Sequence, residues 1–90
     1  MNSAWKISVT KPARKQLAKL SAQVQQQIAD YLQQRVAEEP DPRRLGKALT
    51  GEFKGYWRYR VGDYRIICEL RDKELVVLII KVGHRRKVYK

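Results

Sequence analysis

Histidine and cysteine each occur once in this ninety-residue chain, and acidic residues are outnumbered more than two to one by basic ones. The single Cys68 has no partner for an internal disulfide, and no metal-ligand spacing surrounds it. It lies in an apolar segment and reads as a small buried core residue. Long hydrophobic runs are missing too: the longest, Leu75 to Ile80, spans 6 residues, far short of the ~20 needed to cross a bilayer as a helix. The opening MNSAWKISV has no apolar h-region, so no secretory signal is expected. A cytoplasmic protein without a membrane partner follows. Internal repeats, low-complexity tracts and domain linkers are absent as well. Residues 1–90 therefore read as one domain, near the lower size limit for an independent core.

What remains is a globular pattern with an extreme charge. Hydrophobic residues make up 43% of the chain and recur with clear periodicity, which argues against disorder. Twenty Lys plus Arg face 9 Asp plus Glu, a formal +11. Residues 1–45 hold 8 basic and 4 acidic groups and residues 46–90 hold 12 and 5, so the excess rises from +4 to +7. Such a field attracts polyanions and accelerates encounter with them. Nucleic acid or an acidic protein is the implied partner.

The element order reads β-α-α-β-β-β. Residues 4–9 alternate as a short strand. Thr10 offers an N-cap hydroxyl and Pro12 fits only the first helical turn, so a helix runs from about Lys11 to Leu20 with Leu17 and Leu20 inward. Ser21 caps a second helix reaching about Glu38, whose stripe is Val24, Ile28, Tyr31, Leu32 and Val36. Residues 39–51 form a connector with two prolines and two glycines, pinned to the core by Leu45 and Leu49. Three strands follow over roughly 53–61, 64–71 and 74–82. The last, apolar on both faces, belongs in the sheet interior. The fold class is α+β, a helical hairpin packed on a mainly antiparallel four-stranded sheet.

Gly62-Asp63 is a two-residue hairpin signal of the primed-turn type. With those residues as the loop, Val61 pairs with Tyr64, Arg60 with Arg65 and Tyr59 with Ile66. Alternation then puts Trp57, Tyr59, Val61, Tyr64, Ile66 and Cys68 on the core face. The opposite face gathers Arg58, Arg60 and Arg65, with Tyr56 nearby and only Glu69 on the same strand face to neutralise them. A one-residue slip would bury the arginines, which fixes the register. Like charges directly opposite are destabilising, so a bound anion is called for. A solvated face of splayed side chains is the bland alternative. A phosphate cradle is the sharper one, because guanidinium forks match phosphate oxygens bidentately. The tail GHRRKVYK carries the basic surface onward: Gly83 permits a backbone turn, His84 is the lone histidine, and Arg85, Arg86, Lys87 and Tyr89 follow.

The stretch LGKALTGEFKGYWRYRVGDYRIICEL and the later KVGHRRKVY resemble the RelE branch of the RelE/ParE toxin superfamily. The specific part is the pair W-R-x-R-x-G-x-Y-R and V-G-H-R-R-x-V-Y, and the resemblance covers nearly the whole chain. It implies the toxin of a type II toxin–antitoxin pair, a ribosome-dependent endoribonuclease that cuts mRNA in the ribosomal A site. In that reaction the ribose 2′-OH attacks the adjacent phosphate, without metal or other cofactor. By position in the motifs, Arg60, Arg65, Arg85 and Tyr89, with His84 in reserve, correspond to the reacting set. Arg58, Arg60, Lys54, Arg86 and Lys87 are the expected RNA and phosphate contacts. The implied partners are a cognate acidic antitoxin and a ribosome with bound mRNA.

The residues suit that chemistry. Fixed positive charge where negative charge develops is usually the largest catalytic contribution, and Arg60, Arg65 and Arg85 supply it. A phenol ordinarily ionises near ~10, and surrounding cations favour the phenolate, so Tyr89 is the preferred base. An imidazole titrates closer to neutral pH and makes His84 the competitor. Two other functions fit the charge and are weighed below the nuclease. A ParE-like inhibitor of DNA gyrase would have no evident use for a phosphate cradle beside a phenol. A plain nucleic-acid-binding module would show salt-sensitive binding without turnover.

Overall fold

Thr10 and Ser21 do what their hydroxyls allow. The Thr10 Oγ1 accepts from the Ala13 N–H at 3.3 Å and the Ser21 Oγ from the Val24 N–H at 3.2 Å. In the computed structural model, which describes residues 5–88, these caps open α1 (Lys11–Ala18) and α2 (Ala22–Tyr31). The second helix does not stay regular to Glu38. It widens into a π-helical turn over Leu32–Val36, where the Ala37 N–H reaches the Leu32 carbonyl at 2.8 Å. A strict 3.6-residue period would rotate the stripe away from the sheet. The wider turn instead leaves Leu32, Val36 and Ala37 all buried.

The sheet has five strands, not the expected four. They are β1 (Lys6–Val9), β2 (Lys47–Ala48), β3 (Trp57–Val61), β4 (Tyr64–Arg71) and β5 (Val76–His84), in spatial order β1-β5-β4-β3-β2. The extra strand is β2, inside what reads as a connector. Two residues are too few to show alternation, and Lys47 and Ala48 join the sheet by pairing with Arg58 and Trp57. Only β1 and β5 run parallel; the other neighbours are antiparallel. The apolar last strand lies in the interior, between β1 and β4, and continues two residues past its expected end to His84.

The helices cover one face of this sheet. Ile28, Leu32 and Val36 meet Tyr59, Ile66, Cys68, Val77, Ile79 and Val82 there, with Leu17, Leu20, Leu45 and Trp57 around them. Leu45 pins the connector as expected, whereas Leu49 lies outside this core. A register shift between Ile67 and Cys68 leaves Ile80 over in β5, so that Val77, Ile79 and Val82 all point at the helices. From α1, the Gln16 Oε1 accepts from the Val82 N–H beside this bulge at 2.7 Å. Among the described residues no helix is long and apolar enough to cross a membrane.

Tyr59 is the largest fully buried side chain, and its hydroxyl donates to the Pro42 carbonyl at 2.9 Å. Replacing it with Phe strands a buried carbonyl, and urea unfolding should show a loss of about 1–2 kcal/mol. Burial also pushes the Tyr59 phenol up. An unfolded phenol ionises near ~10, so stability is complete below that pH and falls as the pH rises above it. In Tyr59→Phe that alkaline decline should be smaller.

Candidate functional site

The side of the sheet away from the helices is organised in rows. Cross-strand pairing sets Lys47 opposite Arg58, Arg58 opposite Ile67 and Ile67 opposite Lys81, one line across four strands. Two residues further along β3, Arg60 lies opposite Arg65, and Arg65 opposite Gly83. The hairpin register and the separation of the arginines from the Tyr59 core are thus as the alternation requires. The spacing of two strand residues puts the rows about 6.6 Å apart.

Backbone dipoles hold Arg65 in its unfavourable place. Its Nη1 donates to the Gly62 carbonyl at 3.1 Å and the Tyr64 carbonyl at 3.2 Å. Gly62, at φ 58, takes the left-handed conformation that the tight turn demands. Arg85 arrives at the same turn from the other side. Its N–H donates to the Asp63 carbonyl at 2.8 Å, and its Nε lies 4.0 Å from the Asp63 carboxylate. The turn therefore brings Arg65 and Arg85 together.

Gly83 does not turn the chain. It stays in β5, and its missing side chain makes room: a Cβ there would meet the Val88 Cα at 3.2 Å and Cβ at 3.3 Å. The reversal comes afterwards, where the Lys87 and Val88 N–H groups donate to the His84 carbonyl at 2.7 and 3.0 Å. The tail folds over the arginine side and Val88 is buried against Gly83. Arg86, Lys87 and Lys54 are exposed.

His84 is turned the other way. It pairs with Tyr64 in the sheet and meets that ring edge-on, centroids 5.7 Å apart, on the helix side. Its Nδ1 accepts from the Arg86 N–H at 3.3 Å. Alternation thus separates His84 from Arg60 and Arg65. Tyr89 lies outside the described residues.

Most of the chain's carboxylates that form ion pairs are engaged elsewhere. Asp41 and Asp72 both hold Arg43, whose guanidinium also lies 5.7 Å from the Trp57 ring. The same guanidinium keeps the Asp72 carboxyl below its usual range. Glu69, the one acid on the arginine face of β4, is 2.8 Å from Arg71 rather than beside Arg65. Among the described residues, Arg58 and Arg60 make no ion pair, and Asp63 is the only acid paired with a cation of the site. The uncompensated positive charge is therefore local to this face. Lys47, Phe53 and Lys81 belong to it too, although the sequence reading did not select them. Lys81 is the only charged residue between Leu75 and Val82, which was the available signal; the bulge hid which way it points.

The family model described as the ParE toxin of a type II toxin–antitoxin system, parDE, matches residues 7–89. The chain belongs to the RelE/ParE toxin superfamily. Its similarities lie in the RelE-like branch. Toxin RelG of Mycobacterium tuberculosis is 29% identical over 86 residues, spanning 96% of this chain and 97% of RelG. A chain of the M. tuberculosis toxin–antitoxin complex RelBE2 superposes with a TM-score of 0.83 at 29% identity, covering 91% of this toxin and 99% of that chain. A free-state mutant of the E. coli toxin RelE gives 0.75 at 26% identity, covering 96% and 90%. The helical hairpin on a mixed sheet is the fold shared with these toxins.

Proposed function

We propose that this type II toxin is an mRNA interferase that cuts the codon in the ribosomal A site. The observation that carries the reading is the convergence of Arg65 and Arg85 on the Gly62-Asp63 turn, with Arg60 directly opposite Arg65. Three guanidinium groups around one point suit a phosphate gaining negative charge. The 2′-OH attacks the adjacent phosphorus and the 5′-oxygen leaves with a proton, giving a 2′,3′-cyclic phosphate and a 5′-OH. Arg60, Arg65 and Arg85 stabilise the phosphorane-like transition state. Tyr89 serves as base, one residue beyond the anchored Val88, and the orientation of His84 toward Tyr64 counts against the histidine. Arg58, Lys54, Arg86 and Lys87 hold the flanking phosphates. Neither a metal nor another cofactor takes part.

The partners are the programmed ribosome and an acidic antitoxin of the RelB type, within the cytoplasm. Solved relatives include a RelBE complex at comparable similarity. A +11 toxin offers such an antitoxin an electrostatic target.

Ribosomes carrying an mRNA codon in the A site, incubated with the wild-type toxin, test this directly. Cleavage within that codon, kept in His84→Ala and lost in Tyr89→Phe, is expected by primer extension. The family model bears the ParE name, so gyrase supercoiling is assayed in parallel. Gyrase inhibition with intact mRNA would overturn the proposal.

A further inference from the structure

We infer that the recess between β2, β3 and the turn before it is a nucleotide subsite, in which Phe53 receives an RNA base next to the scissile phosphate. This inference rests on the mRNA interferase reading and names a part of the substrate contact that the arginine cradle leaves open.

Phe53 is the only phenylalanine of the chain, yet it is not part of the hydrophobic core cluster. It sits on a 3-10 turn over Gly51–Phe53, on the arginine side of the sheet. The turn fixes it through the Phe53 N–H to the Thr50 carbonyl at 3.3 Å and the Tyr56 N–H to the Phe53 carbonyl at 3.0 Å. The ring is half-buried, and the Lys81 Nζ stands 5.4 Å from its centroid. It helps to line a cavity of about 410 Å³ together with Lys47, Thr50 and Arg58. That volume lies within the range of small-ligand sites.

An aromatic ring away from the core and ringed by cations is what single-stranded nucleic acid uses. Bases stack on rings regardless of sequence, while lysine and arginine follow the phosphates. Position completes the argument. Arg58 is two strand residues from Arg60, so the recess adjoins the cradle at about 6.6 Å, close to one nucleotide step. An acidic peptide would satisfy Lys47, Arg58 and Lys81 but has no need of the ring.

The test compares Phe53→Ala, Phe53→Leu and Phe53→Trp with wild type on A-site-programmed ribosomes over a set of codons. Stacking predicts that Ala and Leu each lose about 10-fold in kcat/KM and level the differences between codons, while Trp keeps both. Leu preserves bulk and lacks the π-face, so it separates stacking from packing. Wild-type kcat/KM and codon pattern in Phe53→Leu would overturn the inference. A second measurement separates this failure from that of the nuclease reading: fluorescence anisotropy of a labelled single-stranded trinucleotide on the free toxin. If wild-type toxin cleaves nothing, the subsite still stands where Phe53→Leu weakens that binding about 10-fold, and falls where it does not. Unchanged RNA binding and cleavage with weakened antitoxin binding would assign the recess to the protein partner and overturn it too.

Discussion

Arg65→Ala should reduce A-site cleavage by about 10²–10³-fold while leaving the toxin folded. The magnitude is that of removing one preorganised donor from a developing oxyanion. Preorganisation is what distinguishes Arg65 from the other cations, since two turn carbonyls grip its guanidinium. No reorganisation is then needed when the phosphate arrives. The stability of the variant should move little, because the like charge opposite, Arg60, is relieved at the same time as the carbonyl contacts are lost. Thermal unfolding and cleavage, measured on the same preparation, should therefore diverge. Arg65→Lys keeps the charge but loses the fork, and should recover only part of the rate. Cleavage within threefold of wild type in Arg65→Ala would remove the cradle from the mechanism.

Local chemistry was legible in the sequence and tertiary adjustment was not. Gly62-Asp63 defined a turn, the turn defined the register, and the register sorted Arg58, Arg60 and Arg65 from Tyr59 and Ile66. Each step depends on neighbours close along the chain. Thr10 and Ser21 announced their helices for the same reason. The π-helical turn at Leu32–Val36 answers instead to the sheet beneath it, and a run of apolar residues every fourth position does not reveal it. Nor does LVVLIIKV show where a bulge will fall when every residue before Lys81 is apolar. That bulge decides that Lys81 shares a face with Arg58 and that His84 does not share one with Arg65. The two-residue β2 depends wholly on an exposed neighbour, β3, to become a strand at all. The missed members of the site, Lys47, Phe53 and Lys81, all follow from these non-local events.

Gly83→Val should abolish most cleavage although Gly83 has no group to offer the reaction. The glycine has no positive φ to protect, so the effect is steric. A side chain at this position enters space held by the Val88 Cα and Cβ, at 3.2 and 3.3 Å from the first atom added. Backbone at that distance cannot rotate aside as a long side chain could, and the tail must lift. Lifting exposes Val88 and strains the Arg85 N–H bond to Asp63, for a stability cost of about 1–3 kcal/mol. The activity cost should be larger, about 10²-fold, because Arg85 leaves the cradle. Limited proteolysis after Arg85, Arg86 and Lys87 should accelerate in parallel. A double-mutant cycle identifies the cause: once Gly83→Val has displaced the tail, adding Arg85→Ala should cost almost nothing more. Additive losses would mean that the tail stays in place and that Gly83 acts by another route.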